Sequence, residues 1–255
     1  MLTDSHCHLD EFDDPAATLD AAAEAGIGLV VAAAQDLSSM HRVLELKARF
    51  PQAVKAALGL HPTRVVEQTR DQIDQALDFL SDRLPEADEL GEIGLDYKWA
   101  DTPQLQQQQH DVLERQLEIG QRCNKPACFH SRRSQRQVME RAVAYHRETG
   151  LNAQLHWFTQ SQKLVRTCNE EGIYVSVGPT ILNDEQACQV ARTVADDLFL
   201  LETDAPITIA GVAGTPARVR TVAEKLSTLR GVCVETIATQ TQHNIERFFG
   251  ESGGG

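Results

Sequence analysis

The chain has 255 residues, of which 42% are hydrophobic and 24% are charged, an ordinary composition for a globular protein that buries a core. Its 24 Lys and Arg residues are outnumbered by 37 Asp and Glu residues, and the net charge of −13 excludes bulk attraction to nucleic acid. Because the N-terminus shows no secretory pattern and no apolar run approaches the roughly 18–20 residues of a membrane span, we expect a cytoplasmic protein with no membrane partner.

Strand and helix signals alternate along the chain. Short, β-prone apolar runs predict eight strands, over Leu2–His6, Gly28–Ala33, Ala53–Leu58, Leu90–Gly94, Pro126–His130, Ala153–His156, Ile173–Val177 and Leu198–Glu202. Helical spacing of apolar residues predicts the intervening helices, over Ala16–Ala25, Met40–Phe50, Asp71–Leu80, Leu105–Gly120, Gln135–Thr149, Gln160–Glu171, Asn183–Asp196 and Pro216–Leu229. Eight such units in about 250 residues predict an α/β fold, a single-domain (β/α)8 TIM barrel over residues 1–250, followed by a flexible Gly-rich tail over 251–255.

Potential metal ligands stand where predicted strands end. The first strand carries two histidines one residue apart, and strand alternation puts both on one face. The complete set is His6, His8, Glu92, His130, His156 and Asp204. An open doubly wound sheet, the alternative fold, would spread these residues along a line, whereas a barrel gathers the carboxyl ends of its strands around one mouth. The ligand pattern therefore favours the barrel.

These ligand types indicate a particular chemistry. Four imidazoles and two carboxylates without a thiolate suit Zn, Mn or Mg. Six ligands exceed the needs of one catalytic ion that keeps an open position, and they match two divalent ions that share a carboxylate, for which Glu92 is the natural bridge. Two ions roughly 3.5–4 Å apart stabilise both the attacking and the leaving oxygen of a displacement, which favours hydrolysis of a phosphate ester.

The six cysteines show no paired spacing and are expected to be reduced and partly buried. Cys7 lies between two predicted ligands, but strand alternation turns it to the other face, so we interpret it as a packing residue.

Six sequence blocks, in order along the chain, resemble the signatures of the TatD-type metal-dependent deoxyribonucleases of the amidohydrolase superfamily. The blocks are Asp4-Ser-His-Cys-His-Leu9, Gly59-Leu-His-Pro62, Gly91-Glu-Ile-Gly-Leu-Asp96, His130-Ser-Arg132, His156-Trp-Phe158 and Leu201-Glu-Thr-Asp-Ala-Pro206. His243-Asn244 and Phe248-Phe249 resemble the closing helix of that family. The two arginines that follow His130-Ser131 are most similar to the YjjV-like branch.

The resemblance implies a (β/α)8 barrel with two divalent ions and hydrolysis of nucleic-acid phosphodiesters, often as a 3′→5′ exonuclease. It implies that His6, His8, Glu92 and Asp204 surround one ion and that Glu92, His130 and His156 surround the other. Glu92 and Asp204 are thus the predicted catalytic residues. Asp204 would also orient or deprotonate the attacking water, and Asp96 would support the ligands or shape a loop.

Two loops depart from the family pattern. Thr159-Gln160-Ser161 stands where relatives usually carry Ser-Gly-Ser, and Gly214-Thr-Pro-Ala-Arg218 replaces an Asn-Pro element. These loops shape the pocket, so an altered or narrower substrate is expected. A metal-dependent esterase or deacylase, such as one that releases D-amino acids from tRNA, stays open as an alternative. A binding protein without turnover is disfavoured by the complete ligand set.

Three further residues are predicted to bind substrate. His61 either contacts a phosphate or makes a structural hydrogen bond that shapes its loop. Arg132 presents a guanidinium that suits bidentate binding of phosphate. Trp157 either stacks on a base or packs at the rim. The expected partners are nucleic-acid ends or a small phosphodiester, and no obligate protein partner is predicted.

Overall fold

In a computed structural model, which describes residues 1–159 and 161–250, eight parallel strands follow one another around a single sheet in chain order. The strands are β1 Leu2–Cys7, β2 Ile27–Ala33, β3 Val54–Leu58, β4 Glu89–Asp96, β5 Ala127–Arg132, β6 Ala153–Leu155, β7 Tyr174–Val177 and β8 Phe199–Leu201. Backbone hydrogen bonds join the two ends of the sheet at the carboxyl edge. The Asp204 amide donates to the His6 carbonyl at 3.0 Å, and the His8 amide donates to the Ala205 carbonyl at 2.7 Å. The predicted TIM barrel is confirmed.

Helices cover the outside of the barrel. They are α1 Pro15–Glu24, α2 Leu37–Arg49, α3 Pro62–Glu67, α4 Arg70–Arg83, α5 Pro103–Arg122, α6 Gln135–Thr149, α7 Gln162–Glu171, α8 Glu185–Thr193, α9 Val219–Arg230 and α10 Val234–Phe248. Local signals set their ends. The Asp36 and Thr69 side chains accept hydrogen bonds from the first turns of α2 and α4. Gly150 and Gly172 end α6 and α7 with φ of +73° and +72°, a conformation that favours glycine.

Two helices were not predicted from the spacing of apolar residues. Helix α3 was not predicted at all, and α10 was indicated only by the family resemblance, without its bounds. The six-residue helix α3 is too short to show an apolar period, and Pro62 at its first position is its clearest local signal. Helix α10 packs against α9, β1 and β8. The predicted tail over 251–255 and Gln160, the predicted first residue of α7, lie outside the described residues. Within the described chain, no helix is both long enough and apolar enough to cross a membrane.

Candidate metal centre

The six predicted ligands converge at the carboxyl mouth of the barrel. A strand positions each of them. His6, Glu92 and His130 lie in β1, β4 and β5. His8, His156 and Asp204 come shortly after β1, β6 and β8. Five of them are buried, and the His130 side chain keeps 17% of its surface exposed. His130 therefore marks the side from which solvent or a ligand reaches the group.

Glu92 stands at the centre, and its two carboxylate oxygens face different imidazoles. Its Oε1 lies 2.7 Å from His156 Nε2 and 2.8 Å from His130 Nδ1. Its Oε2 lies 3.4 Å from His6 Nε2 and 3.6 Å from His8 Nε2. The carboxylate thus divides the histidines into two pairs, as a bridging ligand does.

Asp204 lies beside the pair formed by His6 and His8. Its Oδ1 lies 3.3 Å from His8 Nε2 and 3.5 Å from His6 Nε2. The residue adopts a φ of +52°, which a residue with a Cβ seldom does, and the hydrogen bond from its amide to the His6 carbonyl holds it there. The barrel closure therefore also aims the Asp204 carboxylate.

The donor atoms fit divalent cations. His6 Nε2 and Asp204 Oδ1 are both buried without a hydrogen-bond partner, and they lie 3.5 Å apart. Buried polar atoms are normally satisfied, so this pair indicates that a cation is their intended partner. Groups of nitrogen and oxygen donors close enough to share an ion occur on both sides of Glu92. Imidazole with carboxylate suits Zn or Mn, and Mg also accepts the carboxylates.

The electrostatics favour charged carboxylates at the centre. Burial opposes ionisation of Glu92, but the surrounding imidazoles outweigh burial and hold its pKa well below the ordinary value. Burial also opposes ionisation of Asp204, and its interactions with His8 and His156 lower its pKa all the same. Both side chains therefore present negative oxygens near neutral pH.

Most ligand histidines are oriented through their second ring nitrogen, as metal-binding imidazoles usually are. His8 Nδ1 lies 2.9 Å from the Ala33 carbonyl oxygen. His130 Nε2 lies 3.2 Å from Asp96 Oδ2, which is the supporting role that the resemblance implied for Asp96. His156 Nδ1 has no hydrogen-bond partner among the described residues and lies 3.6 Å from Glu202 Oε2.

His61 joins the group from the loop after β3. Its Nδ1 accepts a hydrogen bond from the Thr63 amide at 3.2 Å and so caps α3. Burial lowers the pKa of His61 and so favours the neutral ring, in which Nδ1 accepts and the proton is carried by Nε2. That nitrogen lies 3.3 Å from Glu92 Oε1. His61 therefore makes a local hydrogen bond that caps its helix, and its Nε2 points toward the centre.

A cavity of about 510 Å³ opens beside the centre. His130, His156 and Asp204 line it, together with the predicted substrate residues Arg132 and Trp157 and with Ser131, Gln135, Phe158, Thr159 and Ile207. The Trp157 backbone has a φ of +44° and is held by hydrogen bonds from its amide to Glu202 Oε1 at 2.6 Å and to Ser176 Oγ at 3.2 Å. The Trp157 backbone is thus held at the edge of the cavity by buried side chains.

Several supporting residues were not identified from the sequence. Asp4, Cys128 and Gln154 are buried behind the ligands, and each precedes a ligand on its strand by two residues. Strand side chains point in the same direction at every second residue, so a position two residues before each ligand could have predicted these supporting residues.

Comparisons with known proteins match the chain along nearly its whole length. The family profile described as TatD related DNase matches residues 3–250. The uncharacterized metal-dependent hydrolase YcfH of Escherichia coli is 31% identical, over 98% of this chain and 96% of its own. The deoxyribonuclease TATDN3 of Homo sapiens is 27% identical, over 97% and 94%. The crystal structure of the TatD homologue YjjV from Escherichia coli matches with a TM-score of 0.86 at 28% identity and covers 97% of each chain.

Proposed function

The chain belongs to the family of TatD-related DNases and is a metal-dependent hydrolase, and from this premise we propose that it is a phosphodiesterase that removes nucleotides from the 3′ end of single-stranded DNA. The observation that carries the proposal is the position of the Glu92 carboxylate, whose two oxygens face two separate sets of imidazoles. This arrangement suits a pair of divalent ions, held by His6, His8, Glu92 and Asp204 on one side and by Glu92, His130 and His156 on the other.

Two ions at this centre would activate a water and offset the charge of the phosphate. Around them, the side chains of the chain position the reactants. The Asp204 carboxylate orients the attacking water and accepts its proton. The water oxygen forms the new bond to phosphorus, the bond to the 3′ oxygen breaks, and that oxygen takes up a proton from solvent water and leaves as a hydroxyl group. Arg132 holds a phosphate oxygen, and the His61 N–H donates to the same group.

The size of the cavity suits the end of a nucleic-acid strand. About 510 Å³ lies in the range of sites for small molecules and matches a terminal nucleotide better than a duplex. Arg132 and Gln135 supply polar contacts for phosphate and sugar. Trp157, Phe158 and Ile207 supply an apolar surface on which a base stacks. With a net charge of −13, the remaining surface gives a long polyanion little attraction beyond this cavity.

The test is a turnover assay with Mn²⁺, Mg²⁺ and Zn²⁺ on a short single-stranded oligonucleotide labelled at its 5′ end. We expect a ladder of progressively shorter labelled products, and none in excess chelator. A parallel assay uses D-aminoacyl-tRNA, the substrate of the alternative deacylase. Release of the D-amino acid with an intact oligonucleotide would overturn the phosphodiesterase proposal, and immediate release of the labelled 5′ nucleotide would overturn its direction.

A further inference from the structure

A sulfur atom faces the second ring nitrogen of His6. Cys128, fully buried in β5, places its Sγ 3.4 Å from His6 Nδ1. The corresponding nitrogens of His8 and His130 lie within hydrogen-bond distance of oxygen atoms of Ala33 and Asp96, and that of His156 lies 3.6 Å from Glu202 Oε2. His6 thus differs from the other histidines at the centre in having a thiol as its support among the described residues.

The position of the His6 proton decides whether the ring binds a cation. Its Nε2 points toward Glu92 Oε2 and Asp204 Oδ1 and has no hydrogen-bond partner of its own. A neutral imidazole offers a lone pair on one nitrogen only when the other carries the proton. For Nε2 to bind a cation, the proton must therefore reside on Nδ1, and a buried N–H needs an acceptor.

The Cys128 sulfur lies at the distance at which it can accept this N–H, and the sulfur is itself held in place. Gln154 Nε2 donates to the same sulfur at 3.3 Å from the neighbouring strand β6. Cys128 also lies against the backbone of Gly91, where a Cβ would come within 2.8 Å of the Cys128 Cβ. The sulfur is therefore fixed between Gln154 and the His6 ring and has little freedom to move away.

We propose that Cys128 is a positioning residue that keeps the His6 proton on Nδ1 and so presents Nε2 to a divalent cation. The inference rests on the metal centre of the proposed function. It predicts that loss of the sulfur weakens the ion that His6 holds and spares the ion held by His130 and His156, since among the described residues no hydrogen bond joins the Cys128 sulfur to either of those rings.

The experiment compares Cys128→Ala with Cys128→Ser, two residues of nearly equal size that differ by one acceptor oxygen. Cys168→Ala, at a buried cysteine of α7, controls for loss of a thiol from the core. Each metal-free chain is loaded with Zn²⁺, and the Zn²⁺ retained per chain is measured against a graded chelator, beside the melting temperature without metal. We expect Cys128→Ala to bind one Zn²⁺ about 10–100-fold more weakly, the range for lost support of a ligand, with Cys128→Ser and Cys168→Ala near the unmodified chain.

Equal Zn²⁺ affinity in Cys128→Ala and the unmodified chain overturns the role of Cys128, and equal losses in the Ala and Ser variants assign it to packing instead. No Zn²⁺ bound by the unmodified chain would overturn the metal centre itself. If Cys128→Ala fails to fold, nitrogen NMR of the Zn²⁺-loaded unmodified chain replaces it, and a His6 ring without a proton on Nδ1 would overturn the proposal.

Discussion

Asp4 of β1 and Thr203, two residues after the end of β8, are joined by two buried hydrogen bonds. Asp4 Oδ2 accepts from Thr203 Oγ1 at 2.5 Å, and Asp4 Oδ1 accepts from the Thr203 amide at 3.0 Å. Asp4 precedes His6 by two residues, and Thr203 directly precedes Asp204. The same pair of residues therefore closes the barrel and aligns two of the predicted ligands.

Asp4→Ala should lower the free energy of unfolding by about 1–3 kcal/mol, because it leaves the buried Thr203 hydroxyl and amide without a partner. Denaturant unfolding of the metal-free chain measures this. Asp13→Ala, at an exposed carboxylate near the start of α1, is the matched control and should change little. Equal stability of the Asp4 and Asp13 variants would show that the closure does not depend on this contact.

Glu89 should make stability depend on pH. It is buried in β4, its Oε1 has no hydrogen-bond partner, and burial raises its pKa well above the ordinary value. The folded chain therefore keeps a proton that the unfolded chain releases above its own pKa of about 4.3. Stability contributed by this proton is present below the unfolded pKa and is lost as pH rises toward the folded pKa, by about 1.4 kcal/mol per pH unit.

Glu89→Gln removes that titration while preserving size. Urea unfolding of both metal-free chains between about pH 5 and about pH 8 should show the unmodified chain losing stability relative to the variant as pH rises. A stability difference that stays constant over this range would contradict the assignment.

Arg132→Ala should impair cleavage of an oligonucleotide by about 1.5–3 kcal/mol, the range for hydrogen bonds to charged groups. Metal content should stay unchanged, and hydrolysis of a neutral ester should be spared. Arg133 offers a matched control, since it is exposed and is not among the described residues that line the cavity. Equal losses on phosphate and neutral substrates, or equal losses in the two variants, would give Arg132 a structural role.

Asp204→Asn should reduce kcat strongly and leave KM close to that of the unmodified chain, provided that metal content is retained. Asn tolerates positive φ better than most residues, so the backbone at +52° is preserved while the proton acceptor is lost. Single-turnover rates with substrate affinity measured separately distinguish the two effects. A raised KM with an unchanged kcat would make Asp204 a binding residue, and Glu202 would then be examined for the acceptor role.

The fold and the positions of the six ligands were predictable because both follow from periodicity. Alternating strand and helix signals predicted the barrel, and residues at strand ends meet at one mouth whatever the details of the loops. The His6 and His8 pair could be placed on one face from strand geometry alone.

Other features depend on contacts between distant segments, which no local pattern encodes. Asp4 meets Thr203 across 199 residues, and Cys128 meets His6 across 122. The capping hydrogen bond between Thr63 and His61 lies at the start of α3, a short helix that the sequence pattern did not show. The sequence predicts which residues are ligands, but it does not predict which oxygen of Glu92 faces which imidazole.

The central claim is that Glu92 bridges two divalent ions. It is tested most directly by the number of metal ions per chain, measured after loading with Mn²⁺ or Zn²⁺ and removal of free metal, in the unmodified chain, Glu92→Gln and Glu89→Gln. Glu89 is the matched control, since it is also a buried carboxylate of β4 and lies three residues away. We expect two ions in the unmodified chain and in Glu89→Gln, and the loss of at least one in Glu92→Gln, with turnover lowered by orders of magnitude. Two ions retained in Glu92→Gln with near-normal turnover would contradict the account.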